Sequence, residues 1–141
     1  MTGIVFFRSA AREEICAFYR EFFDAETWLS QPDCTVLRYD SFLFGFCDVE
    51  GSGGAGTDET AELTEAETTG RSEHTDVDLD GTITFVYDSR AAVDRAHERL
   101  GDRTRDEPTE NEPYEIYNFF ADDPEGRTIE CQTFLHPIDP P

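Results

Sequence analysis

The residues best placed to do chemistry are Glu130 and Gln132, two positions apart in the run Thr128-Ile-Glu-Cys-Gln-Thr-Phe134. Side chains alternate along a strand, so Thr128, Glu130, Gln132 and Phe134 share one face while Ile129, Cys131 and Thr133 share the other. A mid-strand carboxylate works as a ligand or general base when it is enclosed, and is an ordinary solvated charge when it is not. Glu130 therefore needs an element that presents it. The preceding Asp122-Asp-Pro-Glu-Gly126 is that element: proline fixes one φ and glycine is free to take φ > 0, the chemistry of a tight turn. Aromatic and β-branched residues fill Tyr114–Phe134 on both sides of it, so the stretch reads as a β-hairpin.

Two other patterns resemble sites and fail on inspection. Asp76-Val-Asp-Leu-Asp-Gly81 matches the first six positions of a calcium-binding loop, but the twelfth is Tyr87, where a bidentate Glu is required, and strand residues follow. Cys16, Cys34, Cys47 and Cys131 include no C-x-x-C pair and have no histidine cluster beside them. Zinc-ribbon and redox motifs are thereby excluded, and apolar neighbours point to four buried thiols.

Around the hairpin the chain alternates strand and helix signals. Gly3–Arg8 is β-rich and Ser9 is a candidate helix cap. From Ala10 to Asp24 the residues Ile15, Phe18, Tyr19 and Phe22 recur at i, i+3, i+4 and i+7, which predicts an amphipathic helix. Thr27–Leu29, Cys34–Tyr39 and Phe42–Cys47 then read as strands. Thr82–Tyr87 begins the pattern again, followed by a helix over Ala91–Leu100 capped at Asp88-Ser89, with Ala92, Val93, Ala96 and Leu100 as its apolar stripe. Gly101 ends it, Arg103–Asp106 carries a short strand, and Glu107–Pro113 forms a loop before the hairpin. The fold class is α+β, with two β-α-β-β-β modules over 1–49 and 81–141 that together form one domain. Between them, 50–80 is a Gly-rich acidic linker with almost nothing apolar to bury.

Composition narrows the partners. The formal charge is −21, and all 11 basic residues are arginine. Nucleic acid and anionic membranes both need a cationic footprint, so neither is expected as a partner. Such a surface suits high salt, where screening removes its self-repulsion; a halophilic protein is expected. There is no basic, apolar leader pattern and no run of 18 apolar residues, so a cytoplasmic location is expected.

The repeat, the Phe18-Tyr19 helix and the run Asp122-Asp-Pro-Glu-Gly-Arg-Thr-Ile-Glu130 together resemble the vicinal oxygen chelate superfamily, which includes glyoxalase I, bleomycin-resistance proteins and extradiol dioxygenases. The likeness covers roughly 3–49 and 81–136. It implies curved mixed sheets forming a cleft with helices outside, and a site between the modules. In metal-dependent relatives the first and last strands of each module supply the ligands, and Glu130 occupies the last of those places. The other three fall near Ile4, Phe44 and Thr82, none of which can coordinate as required. His74, His97 and His136 lie in the linker, on the second helix and beyond the last strand, and are expected to face solvent.

The resemblance implies, first, a glyoxalase/bleomycin-resistance-like protein that binds a small organic molecule without a catalytic metal or other cofactor. Its expected site comprises Phe6, Phe44, Phe46, Tyr117 and Phe119 as apolar walls, Gln132 as a polar contact, and Arg8 and Arg38 for an anionic group. Second comes a metal-dependent lyase, isomerase or dioxygenase that uses Glu130 as catalytic residue or as ligand to Zn, Ni, Mn or Fe. A non-catalytic interaction protein is the third reading. A homodimer is expected, since the 12 Phe exceed what one sheet and helix layer covers. The charge generates a test: below about 0.5 M salt the protein should partly unfold or aggregate, because self-repulsion is no longer screened. Thermal melts in low and molar KCl check this, and identical curves would refute it.

Overall fold

The computed structural model describes residues 2–49 and 77–140. They form two compact units that meet in the chain between Leu79 and Asp80. The first contains β1 (Ile4–Ser9), α1 (Arg12–Phe23), β2 (Glu26–Ser30), β3 (Cys34–Tyr39) and β4 (Phe42–Asp48). Its sheet runs β1-β4-β3-β2, with β1 parallel to β4 and the other pairs antiparallel. The second contains β5 (Thr82–Val86), α2 (Arg90–Leu100), a 3-10 turn (Gly101–Arg103), β6 (Thr109–Asn111), β7 (Ile116–Asp122) and β8 (Thr128–Phe134). It repeats the topology as β5-β8-β7-β6. The expected pair of β-α-β-β-β modules is thus observed. Much of the expected linker, 50–76, lies outside the described residues, as do His74 and Asp76, the first residue of the calcium-loop-like run. Its end is anchored: Asp78 N–H donates to the Arg8 carbonyl at 3.1 Å.

Each helix packs on one face of its own sheet. On α1 the buried residues are Ile15, Cys16, Phe18, Tyr19 and Phe23, so Phe23 takes the deep position expected of Phe22. Tyr19 stacks on Phe46 with centroids 5.5 Å apart and meets Phe44 edge-on at 5.4 Å. The cap of α1 also differs. Ala11 occupies the cap position, and Ser9 Oγ instead accepts from Ala11 N–H at 3.0 Å. On α2 Val93, Ala96 and Leu100 are buried, and Ser89 Oγ accepts from Ala92 N–H at 3.1 Å as a true N-cap. His97 is not a purely solvent-facing residue: its ring meets Phe119 edge-on at 5.0 Å.

The strand expected at Arg103–Asp106 lies instead at Thr109–Asn111. Thr104 makes a single bridge to Ala121, and Asp106 Oδ1 then takes the Phe120 N–H that a ladder would need. Pro108 has no N–H to donate, so pairing resumes only at Thr109. The four-thiol expectation is likewise corrected. Cys34 and Cys47 face each other across β3 and β4 and form a disulfide, leaving Cys16 and Cys131 as the buried free thiols. Sequence spacing gave no sign of this pairing, because register brings the two together.

The β7–β8 turn is built on an ion pair. Arg127 and Asp123 are both fully buried, with Nη1 to Oδ2 at 2.7 Å. Asp123 Oδ1 also accepts from the backbone N–H groups of Glu125 and Arg127, each at 2.9 Å. Arg127 Nη2 reaches Glu125 Oε1 at 3.1 Å. Gly126 turns the chain at φ 91°.

Two measurements follow from this packing. Burial pushes the Cys16 thiol up to about 11 and the Cys131 thiol up to about 12. At pH 8 the native, unreduced protein should therefore take up no iodoacetamide; denatured, it should take up two equivalents, and denatured after reduction four. Mass spectrometry reads the three states. Replacing Arg127 by Met should leave a buried, unpaired carboxylate and cost about 3–5 kcal/mol in urea unfolding. The double change with Asp123→Asn should recover part of that loss.

Candidate functional site

The face of the second sheet turned away from α2 carries a cavity of about 400 Å³. Parity and register build it. Asp122 pairs with Thr128 at the turn, so Phe120 lies opposite Glu130 and Asn118 opposite Gln132. On the far side β5 runs parallel to β8 and places Thr84 beside Glu130. Ile116, Asn118, Phe120, Glu130, Gln132 and Phe134 line the cavity from the two central strands. Asn111 of β6 and Tyr114 complete its walls.

Glu130 is half-buried and held by neutral donors. Thr84 Oγ1–H donates to Oε1 at 2.9 Å, and Asn118 Nδ2 donates to Oε2 at 2.8 Å. Gln132, with its amide turned to donate, reaches Oε2 at 3.0 Å. Two χ-rich side chains are thereby locked against a third, and the carboxylate is presented in one orientation. Around this polar floor stand Phe120, Phe134 and Tyr114, the last 67% exposed. His136 packs edge-on against Phe134 at 5.7 Å but is not among the lining residues.

Of the residues named from sequence, Glu130 and Gln132 meet here and the rest do not. Tyr117 and Phe119 point to the α2 side. Phe119 is fully buried, while the Tyr117 hydroxyl donates to Asp94 at 2.7 Å, a bond that raises its pKa, and the ring lies 4.9 Å from the Arg90 guanidinium. Phe44 and Phe46 are fully buried against Tyr19, so in their unit they serve as core instead of as walls. Phe6 is 48% exposed on the opposite face of the first sheet. Arg8 is engaged by Asp78 at 3.1 Å, and Arg38 by Glu26 at 2.8 Å.

The repeat also relocates the metal-ligand positions. Arg12 and Arg90 begin the two helices, and on that alignment Thr84 corresponds to Phe6. Phe6 pairs with Gly45 as Thr84 pairs with Glu130. The counterpart of Glu130 in the first unit is therefore Gly45, not Phe44, and those of Thr84 and Glu130 together are an aromatic ring and a glycine. Among the described residues no three or more His, Cys, Asp or Glu side chains are grouped as a metal site requires. A single carboxylate already bound by a hydroxyl and two amides does not fit Zn, Ni, Mn or Fe, which need about three or more protein ligands.

Comparison with solved structures agrees with this architecture. A glyoxalase/bleomycin resistance protein/dioxygenase family enzyme from Burkholderia phytofirmans PsJN superposes with a TM-score of 0.68 at 19% identity, covering 94% of this chain and 97% of its own. The chain has the fold of the vicinal oxygen chelate superfamily. Lactoylglutathione lyase from Agrobacterium tumefaciens gives 0.63 at 16% identity, over 94% of this chain and 92% of its own. A glyoxalase/bleomycin resistance protein/dioxygenase from Nocardioides gives 0.63 at 16%, over 100% of this chain and 87% of its own. No protein-family model and no curated protein sequence matches the chain. Among the described residues no helix is long and apolar enough to cross a membrane.

Proposed function

We propose that this is a glyoxalase/bleomycin-resistance-like protein that binds a small organic molecule on the open face of its second unit, without a divalent metal. The observation that supports it is the cavity of about 400 Å³ in which one oriented carboxylate forms the floor and aromatic side chains form the walls. That size and mixture suit a small ligand: apolar area supplies affinity and a few fixed polar groups supply orientation. The names of the structural neighbours lend the family reading, and the cavity lends the binding reading. Metal-dependent lyase, isomerase or dioxygenase chemistry is not favoured, because the groups around Glu130 are hydroxyl and amide donors.

The test is an NMR titration of the whole protein with a panel of small aromatic fragments. Amide shifts should cluster at Asn111, Ile116, Asn118, Phe120 and Gln132. Phe120→Ala should weaken whichever fragments bind by about tenfold, as expected for one lost aromatic contact. Shifts confined to other surfaces, or unchanged affinity in that variant, would overturn the proposal.

A further inference from the structure

We propose that the cavity on the second sheet selects an organic cation, a protonated or quaternary amine carried on a flat apolar body. This rests on the binding reading above and goes beyond it to the charge of the ligand. Glu130 brings a formal negative charge to the cavity floor, and all three side chains that bond it are neutral. Both carboxylate oxygens are hydrogen-bonded, Oε1 also by the Gln132 amide at 3.3 Å, but by neutral groups that leave the charge in place. None of the eight lining residues is basic. Arg105 reaches the same face at its turn end, where its guanidinium is bonded to Asp122 at 2.9 Å and to Thr128.

A ligand that displaces water from this cavity leaves Glu130 with an uncompensated charge unless it supplies a positive one. An anion would add repulsion, and a neutral molecule would leave the cost unpaid. The walls favour the same choice, since the faces of Phe and Tyr rings attract cations through their quadrupole. A smaller cavity of about 210 Å³ shares Asn111 and is lined by Glu110, Glu112 and Glu115, so the neighbouring surface is acidic as well. Glu110 is paired with Arg90, whereas Glu112 and Glu115 form no salt bridge among the described residues. Arg8 and Arg38, the side chains once expected to meet an anion, are both committed to carboxylates elsewhere.

Three probes of nearly equal shape separate the possibilities: benzylamine, which is protonated at pH 7, benzyl alcohol and benzoate. They are titrated into the full-length protein in 1 M KCl, which screens diffuse attraction to the acidic surface. The amide signals of Asn118, Phe120 and Gln132 report occupancy. Benzylamine should bind about tenfold or more tightly than benzyl alcohol, and benzoate more weakly than either. Glu130→Gln should bring benzylamine to within about twofold of the alcohol. Glu130→Asp should keep the preference, and Asp102→Asn, which removes a distant surface charge on the 3-10 turn, should leave all three affinities unchanged. Circular dichroism confirms that each variant is folded. Equal binding of amine and alcohol, or a preference that survives Glu130→Gln, overturns the cation while leaving the site in place. Failure of all three probes to shift those amides overturns both the cation and the site.

Discussion

The placement of every group in the candidate site depends on the buried ion pair between Arg127 and Asp123. A two-strand hairpin can slip in register, and a slip of one residue would send Glu130 to the helix side and Ile129 to the open side. The pair prevents this because it is not merely a contact between side chains. Asp123 also binds two backbone N–H groups of the turn, and its own N–H donates to the Arg127 carbonyl at 3.0 Å. The turn is therefore closed by backbone and side chains together, and strand pairing starts from a fixed point at Asp122 and Thr128. Desolvating two charges is costly in isolation; here the hydrogen bonds to turn backbone offset the cost.

The same chemistry explains how a chain so rich in acids uses its few cations. Arg8, Arg12, Arg38, Arg90 and Arg105 each bridge a carboxylate on another element or on the approach to one. Exposed pairs of this kind contribute little individually. Collectively they tie strand ends to helix ends and to the segment around Asp78. The carboxylate of Glu130 receives neutral donors, as Asp94 does from Tyr117 and Asp106 from the Phe120 N–H. With 32 acidic residues against 11 arginines, cations cannot match most of the charge on the chain, and at the cavity floor the donors are neutral.

Much of the fold was legible because periodicity reports on burial directly. Ile15, Phe18 and Tyr19 marked the face of α1, and Thr82–Tyr87 followed by Ser89 marked the second repeat. What was not legible required knowing which strands are neighbours. Cys34 and Cys47 are 13 residues apart, and only the β3–β4 register brings them face to face. The site divides in the same way. Glu130 and Gln132 follow from parity within one strand, whereas Tyr117 and Phe119, expected as walls, lie on the α2 side of β7. Counting back from the turn, with Asp122 opposite Thr128, would have chosen Asn118 and Phe120 instead. Thr84 needed the parallel β5–β8 pairing, which no local pattern announces.

The two units also differ in which side chains one pair of neighbouring positions accepts. Where the second unit has Glu130, the first has Gly45, and a Cβ there would lie 2.8 Å from two atoms of the Phe6 ring. A carboxylate at position 45 therefore needs the Phe6 ring to shift or be replaced, and a smaller residue at position 6 alone opens a gap over the glycine. The side chains at positions 6 and 45 are thus coupled: what fits at one depends on what stands at the other. The repeat is asymmetric in that sense: one copy presents a carboxylate held by its neighbours, and the other an aromatic ring lying on bare backbone.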